Sequence, residues 1–229
     1  MNPSYYFYHY CTPFSMIICH YLLSYSRIKY KLIFMKHQII KNNTKNIIRL
    51  ITPHNKIEER DIEDATAWIS SGEEIFRIKK DAIPKKHLVS YCVVVDIENK
   101  KVLLLDHKKA LLLLPSGGHI NKNEMPHKAA QRELKEELNL DLKIISNDER
   151  IPFFITITDT VGISESHTDV SLWYLFKWDL GKKIDTENIN FKKEFNDFYW
   201  FSFNEVLNLP IKRLDKHMHR FINKLKQNL

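Results

Sequence analysis

The chain has 229 residues, enough to bury one sizeable core with appendages. Hydrophobic residues at 44% and charged residues at 28% exclude a fibrous or low-complexity chain. The formal charge of +7 suits an anionic, phosphorylated substrate, but the lysine pairs are scattered without interleaved aromatics, so no nucleic-acid partner is expected. Residues 1–34 stand apart: they hold seven of the ten tyrosines, no acid, and three of the net positive charges, at Arg27, Lys29 and Lys31. Their apolar run, Phe14 to Leu23, is broken by Ser15 and His20 and falls short of the ~20 residues of a membrane span. Basic residues follow that run rather than precede it, which does not suit a signal peptide. We read residues 1–34 as an aromatic-rich extension, disordered or produced by a start assigned upstream of Met35; an interfacial anchor or an ordered partner-binding arm are the alternatives. No stable membrane insertion is expected. Cys11, Cys19 and Cys92 form no CxxC pair and no even framework, which points to a reducing compartment, the cytoplasm.

Residues 35–85 read as a helical appendage. His37 to Leu50 fits a short amphipathic helix, interrupted at Thr52-Pro53. From Lys56 the run KIEERDIEDATAWISSG is a stronger helix: Ile62, Ala65, Thr66 and Ile69 trace one face, acids crowd the first turns, and Gly72 stops it. His87 to Asp96 is rich in β-branched residues and predicts a central strand, followed by a turn and a return strand over Val102 to Asp106. Ala110 to Leu114 predicts a third short strand. Beyond residue 140, Leu142–Ile145, Phe153–Thr158 and Val170–Leu180 are strand-like. A polar loop from Gly181 to Ile189 leads to the strand-like Phe198–Phe201, a short helix at Asn204–Leu207 and a basic amphipathic helix over Arg213–Lys226. His217 and His219 sit at i, i+2 on that last helix and cannot face one metal ion.

Between Pro115 and Leu140 lies PSGGHINKNEMPHKAAQRELKEELNL. Pro126 occupies a first-turn position that tolerates a missing N–H, and Ala130, Leu134 and Leu138 define a buried stripe. Glu133, Glu136 and Glu137 fall at i, i+3 and i+4, where like charges repel unless a cation compensates. Hard oxygen ligands of this kind suit Mg²⁺ or Mn²⁺. Gly117-Gly118 lets backbone pass close to the helix, where a free carbonyl can join the ligand set. A solvated acidic helix face is the plain alternative for RELKEEL alone; the Gly pair, Glu124 and Arg132 at fixed offsets outweigh it.

These residues resemble the Nudix box, G-x5-E-x7-R-E-U-x-E-E-x-G-U with U aliphatic, the signature of Nudix (MutT-like) hydrolases. Gly118, Glu124, Arg132, Glu133, Leu134, Glu136, Glu137 and Leu140 match; Asn139 stands where the family usually has Gly, and it is the next most tolerant residue for a left-handed helix end. The resemblance implies an α/β fold for residues 86–229, an α/β/α sandwich around a mixed central sheet, preceded by the short helical segment. It implies metal-dependent hydrolysis of a pyrophosphate bond in a nucleoside diphosphate linked to a further group. A nucleoside triphosphate in a house-cleaning role is the first choice, with ADP-ribose or a nucleotide sugar next and a non-catalytic nucleotide sensor last. By the same resemblance Glu133, Glu136, Glu137 and the Gly117 carbonyl bind Mg²⁺ or Mn²⁺, Arg132 fixes a carboxylate, and Gly118 and Glu124 are structural. The general base is Glu133 or Glu194. His167 and Asp169 either touch base or ribose or cap a strand. Homodimerisation is left open.

Overall fold

A computed structural model describes residues 13–79, 83–160 and 166–229. The chain divides into two compact units at Ile39/Ile40, and helix α1 (Pro13–Arg49) carries the chain across that division. In the first unit, Leu32, Phe34 and Met35 on α1 are exposed. Among the described residues no helix is long and apolar enough to cross a membrane. The helix expected at His37–Leu50 is the last part of α1.

In the unit from Ile40, α2 (Lys56–Ser70) starts where Asn55 accepts hydrogen bonds from the amides of Ile57 and Glu58, and Glu58 and Glu59 stand in its first turn. Among the described residues, seven strands then form one mixed sheet. They are β1 (Lys86–Asp96), β2 (Lys101–His107), β3 (Leu112–Leu114), β4 (Ser116–His119), β5 (Phe154–Thr160), β6 (His167–Lys177) and β7 (Phe195–Ser202). The long β1 is the spine. It runs parallel to β6 from Lys86↔Thr168 to Val95↔Lys177. On its other edge it pairs antiparallel with β4 over Val89–Cys92 and then with β2 at Val95–Asp96. β5 is antiparallel to β6, and both β3 and β7 are antiparallel to β2.

Alternation along β1 sets the two faces of the sheet. Leu88, Cys92 and Val94 belong to a core with Ala65, Trp68 and Ile69 of α2 and with Ala129, Ala130, Leu134 and Leu138 of α3 (Pro126–Leu138). Val93 and Val95 face the other core, covered by α5 (Phe203–Asn208) and α6 (Met218–Asn228). A short helix, α4 (Ile189–Glu194), leads into β7. Helices thus flank a mixed sheet, as the sequence implied.

Two local expectations change, and the Gly pair itself forms a strand, β4, paired with β1. Leu142–Ile145 is not a strand, and only Ile144 bridges to Phe176. The C-terminal helix starts at Met218 rather than Arg213, because Asp215 intervenes: its carboxylate accepts the His217 amide and its carbonyl the Met218 amide.

Candidate active site

The site is built where β4 crosses the start of β1 and the last turns of α3 lie over it. α3 begins with Pro126 at its first position and ends on Asn139, whose φ of 54° is the left-handed conformation that terminates the helix. The stripe Ala130, Leu134 and Leu138 is buried, and this fixes which way the helix presents its acids. The Gly pair then permits a close approach. A Cβ on Gly117 would lie 2.4 Å from the Ser90 carbonyl of β1, and one on Gly118 would lie 2.6 Å from the Glu133 carboxyl. At Gly117 the obstacle is backbone, whereas at Gly118 it is the movable end of the Glu133 side chain.

Arg132 organises the acids. Its Nε and Nη2 donate to the two oxygens of Glu124 at 2.9 and 3.0 Å, a bidentate pair. Nη1 donates to Glu133 at 2.7 Å and to Glu136 at 3.2 Å, while Nη2 also reaches the His119 carbonyl at 3.1 Å. Glu124 closes the loop before α3 by accepting the Asn121 amide at 3.0 Å. One guanidinium therefore ties three carboxylates and the end of β4 together, and these contacts raise its own proton affinity further.

Glu137 is treated differently. It is buried and receives the Ser116 hydroxyl at 2.6 Å and the Gly117 amide at 3.2 Å, both on Oε2. Burial pushes its carboxyl up to about 8 in spite of those donors, and the charges of Glu133 and Glu194 add to the rise. Burial likewise raises Glu133, with Arg132 opposing. Glu194 ends α4, and its carbonyl accepts the Lys108 amide at 2.9 Å. Glu133 and Glu194 are thus close enough for their charges to act on Glu137, Gly117 donates its amide to Glu137, and Arg132 links Glu136 to Glu133. Among the described residues these carboxylates do not converge as a ready ligand group. A buried carboxyl held off its ordinary value beside other acids fits a divalent cation, whose charge would restore the ionised form. Cys92, by contrast, is buried with its thiol pushed well up by burial and donates to the Ala130 carbonyl. It is packing.

His167 and Asp169 are not part of this acidic group. They join His87 on the other face of the sheet, where His87 Nε2 is 3.2 Å and His167 Nε2 is 3.5 Å from Asp169 Oδ1. His119 lies near them, its ring tilted 4.9 Å from the His87 ring, and burial together with Arg77 and His87 pushes it down to about 3. Arg77, lowered by burial, is close enough to feel both Asp169 and Glu133. The sequence reading assigned nothing to Arg77, His87, His119 or Ser116. A Ser directly before the Gly pair was the one legible signal among them.

The family model described as the NUDIX domain matches residues 85–225. No curated protein matches the chain in sequence. Among solved structures, a NUDIX-family hydrolase from Clostridium perfringens is similar at 24% identity and TM-score 0.47, covering 62% of this chain and 98% of that one. An Ap4A hydrolase from C. elegans is similar at 18% identity and TM-score 0.47, over 61% and 95% of the two chains. A MutT protein from Methanosarcina mazei Go1 is similar at 14% and 0.45, over 62% and 93%. With the family model spanning more than half of its length, the chain belongs to the Nudix family and is a pyrophosphohydrolase of that family.

Proposed function

We propose that the protein hydrolyses a nucleoside triphosphate to the monophosphate and pyrophosphate, in a house-cleaning role. Nudix hydrolases generally use divalent metal ions and act on small nucleotide substrates. Glu133, Glu136, Glu137 and the Gly117 carbonyl would hold the ion, Mg²⁺ or Mn²⁺. When bound, it would neutralise charge on the phosphoryl oxygens and help polarise a water.

The chain's own residues do the rest. Arg132 cannot act as a base; it fixes Glu133 and Glu124 so that the carboxylates keep their positions as the substrate enters. Glu133 is the proton acceptor we favour for the attacking water, because burial strengthens its hold on a proton while Arg132 orients it. Glu194 adds negative charge beside Glu137. The hydrolysis adds the hydroxyl to one phosphorus and the proton to the leaving phosphate, so no further reactant is needed.

The observation that carries this reading is Glu137. A binding-only domain gains nothing from burying this carboxyl beside Glu133 and Glu194, whose charges repel an anionic ligand unless a cation stands between. The test is a panel of nucleoside triphosphates, 8-oxo-dGTP, ADP-ribose, sugar nucleotides and dinucleoside polyphosphates with Mg²⁺, every product being identified. Pyrophosphate released from a triphosphate supports the proposal; cleavage confined to ADP-ribose or a sugar nucleotide sinks the triphosphate assignment. Glu137→Gln should lower turnover by more than ~100-fold, beyond the 10–100-fold typical of losing a group outside the ligand set.

A further inference from the structure

We propose that His87, His167 and Asp169 bind a borderline transition-metal ion of the Zn²⁺ kind, at a site separate from the acidic residues of α3. The register places them. His87 of β1 is the in-register partner of Asp169 on the parallel strand β6. His167 lies two residues before Asp169, so its side chain leaves the same face of the strand. That face is opposite to Leu88, Ser90 and Cys92, the β1 residues turned toward α3; Ser90 and Cys92 hydrogen-bond to the carbonyls of Pro126 and Ala130. Sheet alternation therefore separates the two groups.

Two of the three ligand–ligand distances suit a single tetrahedral ion. One ligand atom from each of the three residues lies within 4.8 Å of the others. Two ligands at the usual Zn–N and Zn–O lengths in a tetrahedron stand about 3.3 Å apart. The two His–Asp169 separations, 3.2 and 3.5 Å, bracket that edge. His87 is wholly buried, and its Nδ1 faces the Pro84 carbonyl at 2.9 Å. A carbonyl only accepts, so Nδ1 carries the proton and Nε2 presents a bare lone pair to Asp169. Neither His87 Nε2 nor Asp169 Oδ1 makes a hydrogen bond, although they are 3.2 Å apart. Two acceptors facing each other in a buried place repel unless a proton or a metal ion lies between them, and the three convergent ligand atoms favour the metal.

The donor set selects its ion. Two imidazoles and one carboxylate suit zinc and its neighbours, whereas Mg²⁺ demands oxygen ligands and keeps its waters. Three protein ligands leave a fourth tetrahedral position, bordered by His119, whose own Nε2 is buried without a hydrogen bond. Arg77 is a charge that would oppose the ion, since it acts on Asp169. The carboxylate offsets one of the ion's two charges, so the pair of cations is a tolerable neighbourhood.

The full chain, stripped with EDTA and held in excess Mg²⁺ to fill the acidic site, would be titrated with Zn²⁺ by calorimetry and with Co²⁺ by visible absorption. One equivalent of Zn²⁺ should bind despite the Mg²⁺, and Co²⁺ should show the strong colour of tetrahedral ligation. His167→Ala and Asp169→Asn, both at partly exposed side chains, should each weaken zinc by more than ~100-fold with unchanged far-UV dichroism. Glu137→Gln should leave zinc binding as it was. No stoichiometric zinc on the wild-type chain overturns the proposal, whatever the variants do. So does zinc that survives Asp169→Asn and is lost in Glu137→Gln, which would place it at the acidic site.

Discussion

Gly118 shows how little room the acidic site leaves. Its Cα faces the Glu133 carboxyl so closely that one added methyl would come within 2.6 Å of it. Gly118→Ala should therefore displace Glu133 and break its bond to Arg132, lowering kcat by at least ~10-fold while the melting temperature changes little. Steady-state rates and a thermal melt on the same preparation check this; unchanged turnover would mean that Glu133 can shift without consequence. Residue-scale chemistry in this stretch was legible because the box is contiguous: Gly118, Glu124, Arg132, Glu133, Glu136 and Glu137 lie within one short strand, the loop after it and one helix, so their spacing is visible in the sequence. The group around His87 was not. Its members are brought together only by the parallel register of β1 and β6, and no local period links residue 87 to residue 169. Glu137 also held a surprise, since nothing in the spacing distinguishes the buried carboxyl, raised to about 8, from the half-exposed Glu136.

At the scale of elements, α3 is stopped by one residue in a left-handed conformation, Asn139, with its side-chain amide donating to Asp185 at 3.3 Å. Replacing it separates the two contributions. Asn139→Val should cost about 1–2 kcal/mol, the penalty of that backbone region for a branched residue, and urea unfolding measures it. Asn139→Gly should be nearly neutral; a loss as large as that of valine would show that the Asp185 contact, not the backbone, is what matters. The strands β1 and β2 were readable from their β-branched and aliphatic runs. β4 was not, because its two glycines carry no strand signal and pair only through the close approach to β1 that they make available. Leu142–Ile145 erred the other way: its alternation is genuine, yet Ile144 finds only an isolated bridge to Phe176.

For the molecule as a whole, α2 is joined to the last helix by a buried ion pair, Lys224 Nζ to Glu58 at 2.7 Å, with the Thr52 carbonyl also accepting from Lys224. The ammonium lies over the rings of Phe153 and Phe154. Lys224→Met should cost about 3–5 kcal/mol, because Glu58 would be left buried without its counter-charge. Lys224→Met with Glu58→Gln should cost less than the sum of the two, and urea denaturation of the four proteins decides it. Acid should act through His217, whose neutral ring is favoured by burial and by Arg220 and Lys216, and whose value is pushed down to about 4. The unfolded chain then binds this proton first, so its share of stability is complete above the ordinary imidazole range and is lost as pH falls through about 4. His217→Gln should flatten the stability profile between about 6.5 and 4, a range read by chemical denaturation at successive pH values. The Glu58–Lys224 pair also has a consequence in time. The two residues are 166 positions apart, so at a synthesis rate of about 5–20 residues per second the acid waits roughly 10–30 s for its base to be made. During vectorial synthesis α2 cannot dock with its charge compensated, and the nascent chain keeps that helix provisional until its distant partner arrives.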